Sequence, residues 1–333
     1  LREGSVLGKV GALFWNQTER RVRAVIRVGI FFGLWGFGPA LLHRLVGPAV
    51  TAAMGVDARW LANILLDLLR LAVVLIALLF VARFVDHRPF VTYGFRLNRR
   101  WWVDLAFGMA LGVLLMSGIF AVEWAAGWVT VTGFWVAPAG IPFYVAIWTP
   151  LMLYVVVAIA EEVLSRGNQL LNFTEGFRPL GFTSAVFVAW LLSSAIFGAL
   201  HVSNPNSTWL STLYLVLYGV FLGAGYVLTG QLAISIGLHF TWNFAQGAVF
   251  GFPVSGRPLG GASVLAIAQS GPALWTGGAF GPEAGLLGVS AALIGMALIA
   301  FWVKAHTQRV SFEQLRANTF TLRLADQDRE KIA

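Results

Sequence analysis

Long apolar runs separated by short polar joints set the plan of this chain. A run of roughly twenty apolar residues, wound as a helix, matches the thickness of a lipid hydrocarbon core. The pattern predicts eight such spans: roughly 28–46, 60–82, 103–122, a long segment from near Ile141 to about Phe173, then 182–201, 208–228, 232–252 and 285–303. Pro142 and Pro150 are expected to bend or interrupt the start of the fourth. Two spans carry small residues four apart, Gly108 with Gly112 and Gly219 with Gly223, a spacing suited to close helix packing in lipid. Residues 253–284 are rich in Gly and Pro and read as a loop. The predicted class is an all-α polytopic membrane protein of about eight transmembrane helices. It is organised as one membrane domain over 28–303, with no internal repeat and no soluble domain of useful size. A basic segment, 1–27, precedes it, with an interfacial amphipathic helix expected around Val10–Trp15. A mixed-charge tail, 304–333, follows and is expected to be helical in part.

Composition strengthens this picture. The 333 residues are 58% hydrophobic and 11% charged, against about 25% charged in a soluble domain, and the mean hydropathy is +0.76. The absence of cysteine removes disulfides, thiolate metal sites and cysteine nucleophiles. A net charge of +8 raises the question of nucleic acid, but the basic residues sit at the ends of apolar runs, as topology signals do, and no nucleic-acid partner is expected. The stretch from Arg2 to Arg27 lacks the short apolar core and cleavage site of a secretory signal. Placing both termini in the cytoplasm leaves only Arg44, Arg59 and Arg257 outside, with Arg70 inside a span. That is the positive-inside arrangement of a multi-pass protein, as in a bacterial inner membrane.

Charges inside the spans are few, so each one matters. Asp67 and Arg70 lie i,i+3 and are expected to pair with each other. Glu161 and Glu162 are adjacent near the middle of the fourth segment. Arg166, four residues beyond Glu162, shares its face and can neutralise it, while Glu161 is turned about 100° away and stays free. Phe197 and His201 share a face of the fifth span; His239, Asn243 and Gln246 share one of the seventh. At 1.5 Å per residue, Glu161, His201, His239 and Asn243 fall in one broad layer of the membrane, leaning to the outer half. A carboxylate beside an imidazole can activate water as a general base, and an imidazole with an amide can stabilise an oxyanion, a complete set for hydrolysing an amide. The same residues also allow a divalent metal such as zinc, held by Glu161, His201 and His239, although the spacing is not that of two ligands on one helix. Set against an enzyme are a catalytically silent immunity or scaffold protein and a proton-coupled transporter using Glu161.

At Glu161-Glu162-Val-Leu-Ser-Arg166, Phe197-Gly-Ala-Leu-His201 and His239-Phe-Thr-Trp-Asn243 the sequence resembles the CAAX prenyl protease and bacteriocin-processing family, the type II CAAX endopeptidase-like intramembrane proteases. With Tyr93-Gly-Phe-Arg-Leu97 upstream, the resemblance covers roughly 90–250. It implies an eight-span glutamate-dependent endopeptidase, in a family commonly labelled metalloprotease, with its core on the fourth, fifth and seventh helices. Glu161 with His201 would activate water, His239 with Asn243 would stabilise the oxyanion, and Glu162 and Arg166 would organise the site. No cofactor is then required. The substrate would be a membrane-embedded or lipidated peptide or protein, in CAAX-like processing or bacteriocin immunity. Ser165 departs from the pattern, since the family often has an aromatic residue before the arginine.

Overall fold

The computed structural model describes residues 14–17, 19–55, 58–257 and 261–319. Among the described residues, eight helices carry the fold: α1 (Ala24–Met54), α2 (Arg59–Phe84), α3 (Arg99–Ala125), α4 (Phe143–Gly176), α5 (Phe182–Ala199), α6 (Trp209–Thr229), α7 (Ala233–Phe244) and α8 (Leu286–Thr307). Seven of these are long and apolar enough to cross a membrane; α7 is the exception. It has 12 residues and continues into a five-residue π-helical turn, Ala245–Val249. Its ends nevertheless lie at opposite faces of the bundle, because Gln231 before it and Ser255 after it belong to the two different loop clusters described below. Helix α4 is interrupted at Ile147, where Pro142 and Pro150 flank a short first turn. It runs through a π-helical stretch, Val163–Leu170, before finishing at Gly176.

The loop expectation for 253–284 needs correction. Ser263–Gln269 forms a strand, β4, that pairs antiparallel with β3, Val129–Val136. The sequence of β3, Val-Thr-Val-Thr-Gly-Phe-Trp-Val, is β-branched and aromatic, the composition that fits a pleated surface. A second, two-residue pair joins β1 (Trp15–Asn16) to β2 (Arg21–Val22). Of the amphipathic helix expected around Val10–Trp15, residues 10–13 lie outside the described residues and Trp15 is in β1. Of the tail, α9 (Glu313–Arg316) is a single helical turn and residues 320–333 lie outside the described residues.

The small-residue faces hold the histidine-bearing helices. A Cβ added at Gly108 would run into the backbone of Ile234, and one at Gly112 into Thr241 and the backbone of Leu238 and Trp242. Helix α3 therefore lies backbone against backbone with α7, where dispersion contacts replace a hydrophobic effect that lipid cannot supply. Gly219 meets Ser194 in the same way, seating α6 against α5.

Loop contacts define two faces. At the terminal face, the β1–β2 hairpin, residues 86–98, the end of α4, the α6–α7 turn and Asn318 are tied together. Arg21, Arg27 and Arg88 all reach Glu175, at 2.7, 3.0 and 2.7 Å, and every one of these side chains is buried. Asp86 accepts from Tyr93 Oη at 2.5 Å and from Asn172 Nδ2 at 3.0 Å. Burial, followed by the Asp86 charge, pushes the Tyr93 hydroxyl well above its usual range, so it remains a donor. The arginines here do more than signal topology: they neutralise two carboxylates that no water reaches. At the opposite face, Asn204 donates to the Ser255 carbonyl and Gln269 to Glu123.

Candidate active site

Glu161 and Glu162 end the regular part of α4. Glu162 is fully buried, and its Oε1 accepts from Arg166 at 2.9 Å and from His239 Nδ1 at 2.8 Å. Arg166 is completed by a bond to the Gly219 carbonyl at 2.8 Å and by the Phe197 ring, 4.8 Å below its guanidinium. One buried acid thus ties α4, α6 and α7 together, and the π-helical stretch carrying Arg166 packs against α5 through Phe197. The arrangement satisfies a charge pair that would otherwise be costly at this depth.

Glu161 is left with a different environment. Its side chain keeps 19% of its surface accessible, and its Oε2 lies 3.9 Å from His239 Nε2. That separation is too long for a hydrogen bond and is the kind of gap that a water can bridge. Because His239 Nδ1 donates to Glu162, the ring is held with Nε2 towards Glu161. His201 lies just past the end of α5, and its Nδ1 donates to the Phe197 carbonyl at 2.8 Å. A carbonyl only accepts, so this contact fixes the proton on Nδ1 and leaves Nε2 of the neutral ring as an acceptor. Asn243 is half-buried, and no described residue engages its amide.

Glu161, His201, His239 and Asn243 all line one cavity of about 650 Å³. Glu161 approaches His239, and among the described residues no ion pair or hydrogen bond joins it to His201. Glu162 and Arg166 stand behind this wall. The cavity also reaches Asn204, Ser255 and Arg257, loop residues of the face opposite the termini.

Of the polar lining residues, Glu283 and Trp35 were not singled out in the sequence. Glu283 is the sole acidic residue between Glu175 and Glu313, a signal that the Gly/Pro-rich reading of 253–284 passed over. It is held by Gln246, the Ser255 amide at 2.5 Å and the Ser255 hydroxyl at 3.2 Å. Trp35 of α1 lines the wall and donates to the Ala160 carbonyl, the residue before Glu161. Arg70 also lines it; the expected pairing with Asp67 is present only as an attraction between nearby charges, without a close ion pair. Ser165 lines the cavity with its hydroxyl unpartnered.

The metal alternative can be tested on these contacts. The Nδ1 bonds of His201 and His239 would suit metal-ligating rings. Among the described residues, no group of three His, Asp or Glu side chains is placed as a metal site in this arrangement.

The fold defines an integral membrane protein whose core places Glu161, His201, His239 and Asn243 around one cavity. Residues 142–245 match the family model for type II CAAX prenyl endopeptidase Rce1-like, a protease family, and this segment contains Glu161, Glu162, Arg166, His201, His239 and Asn243. No curated protein and no solved structure matched the chain.

Proposed function

We propose that this protein is an intramembrane endopeptidase that hydrolyses a peptide bond of a membrane-associated or lipidated substrate with water activated by Glu161. The observation that carries the reading is the 3.9 Å gap between Glu161 Oε2 and His239 Nε2, facing a cavity that His201 and Asn243 also line. Glu161 takes a proton from the water as its oxygen attacks the carbonyl carbon. The carbonyl oxygen becomes an oxyanion, to which the Asn243 amide and the His239 ring, when Nε2 carries a proton, donate. Glu161 then passes the proton to the leaving nitrogen, and the C–N bond breaks to a carboxylic acid and an amine. His201, with its acceptor Nε2, assists in orienting the water. Glu162 and Arg166 hold the His239 ring rather than touch the substrate.

Orientation follows from charge. With both termini in the cytoplasm of a bacterial cell, as the positive-inside rule favours, the end of the cavity lined by Ser255 and Arg257 lies on the outer side. The substrate bond then enters from the outer leaflet side.

The test is proteolysis by purified protein in phosphatidylcholine nanodiscs, supplied with a mass-encoded mixture of apolar peptides and read by mass spectrometry. Cleavage that Glu161→Gln abolishes supports the reading, and full activity in that variant sinks it. Strong chelators are expected to leave the rate unchanged; a chelator-sensitive rate restored by zinc would overturn the metal-free chemistry.

A further inference from the structure

Arg70 stands at membrane depth without a close ion pair or hydrogen bond from any described residue. It lies 11 residues beyond Arg59, which begins α2, so it is about 16 Å along the helix from the cavity face. It is half-buried and lines the same cavity as Glu161. No described residue makes an ion pair or hydrogen bond with it; Asp67, three residues earlier, acts on it only as a nearby charge. Arg166, by contrast, is engaged by Glu162, by the Gly219 carbonyl and by the Phe197 ring. An arginine this deep is costly unless it pairs or faces a polar cavity, and one left unpaired beside a reaction site marks a place for an incoming anion.

We infer that Arg70 is a specificity-determining residue that anchors a carboxylate of the substrate inside the catalytic cavity. This inference rests on the endopeptidase reading for the word substrate, but not for the binding itself. The guanidinium fork matches a carboxylate bidentately. A lipid phosphate fits less well, because headgroups lie at the membrane surface and Arg70 lies about halfway through a core about 30 Å thick. The carboxylate has two sources: the C-terminus of the substrate chain or an acidic side chain near the scissile bond. Both Arg70 and Trp35 come from helices outside residues 142–245, so the matched segment is completed by walls that it does not itself encode.

The experiment measures binding separately from cleavage. Glu161→Gln protein in phosphatidylcholine nanodiscs is titrated with one labelled apolar peptide in three forms: free C-terminal acid, C-terminal amide, and amide with an added glutamate near the C-terminus. The acid is expected to bind at least about tenfold more tightly than the amide. Arg70→Gln is expected to erase that ratio, and Arg70→Lys to keep part of it. Tight binding of the glutamate-bearing amide assigns a side-chain carboxylate; its failure assigns the chain terminus. The inference is overturned if acid and amide bind alike, if Arg70→Gln leaves their ratio unchanged, or if phosphatidylglycerol in the nanodisc removes the acid preference by occupying Arg70. With wild-type protein the discrimination should appear in KM more than in kcat. Arg70-dependent acid binding without any cleavage by the wild type would refute the endopeptidase reading and leave the anchor standing.

Discussion

Two buried carboxylate–arginine clusters sit at different depths of this protein, and they differ in how completely they close. At the terminal face, Glu175 is contacted by Arg21, Arg27 and Arg88, all buried, and Asp86 is held by Tyr93 and Asn172. In the core, Glu162 is held by Arg166 and His239, but its neighbour Glu161 keeps only a 3.9 Å approach to His239 and faces an open cavity. The first cluster fastens the N-terminal hairpin, a loop and the end of α4. The second leaves one acid, Glu161, without a hydrogen bond, in a cavity that Arg70 also lines. Buried charge in a membrane protein is therefore a weak guide to chemistry until its pairing has been counted.

Substitutions can break this comparison, beginning with the largest effect. Glu161→Gln is expected to lower peptide cleavage by roughly 10²–10⁴-fold while thermal unfolding in detergent, followed by tryptophan fluorescence, stays unchanged. A parallel loss of stability would place Glu161 with the structural cluster. Glu175→Ala should show the reverse: it takes the shared carboxylate from three buried guanidinium groups, leaving them Glu19, Asp86 and backbone carbonyls, and costs about 3–5 kcal/mol, with the kcat of the molecules that remain folded unaltered. Glu162→Gln is intermediate, since it weakens the hold on the His239 ring. Cleavage is expected to fall roughly 10–100-fold, in the range of residues that orient a reacting group, mostly in kcat, with a modest loss of melting temperature.

The smallest effect is a pH dependence. Burial pushes the Glu283 carboxyl from an ordinary value of 4.5 up to about 7. Between these two values the folded protein keeps a proton that the unfolded chain has released. Stability is therefore highest below this window and declines as pH rises through it, by at most one proton's worth of slope. Melting temperatures measured from pH 4 to 8 should show this decline, and Glu283→Gln should flatten it.

The helices were legible in the sequence because lipid imposes length and apolarity on each span. The all-α class followed from that. The β3–β4 pair was not legible, because Val129–Val136 and Ser263–Gln269 are short and apolar and their partnership spans more than a hundred residues of sequence. The contact between Glu162 and His239 has the same character: 77 residues separate them, and i,i+4 spacing reveals only partners on one helix. That reasoning found Arg166 for Glu162. It also assigned Arg70 to Asp67, and did not show that Arg70 lines the cavity. The arginines of the terminal face read as topology markers because sequence shows position along the chain and not burial.

The π-helical stretch of α4 has one more consequence. Every residue from Glu162 to Glu175 is buried, a column about 20 Å long with no side turned to lipid. The other helices form its sheath. Thinning or stretching of the bilayer acts first on those outer helices, which tilt or slide to match the hydrocarbon thickness. The column that carries Arg166, and with it the setting of Glu162 and His239, is mechanically insulated from the membrane in which it works.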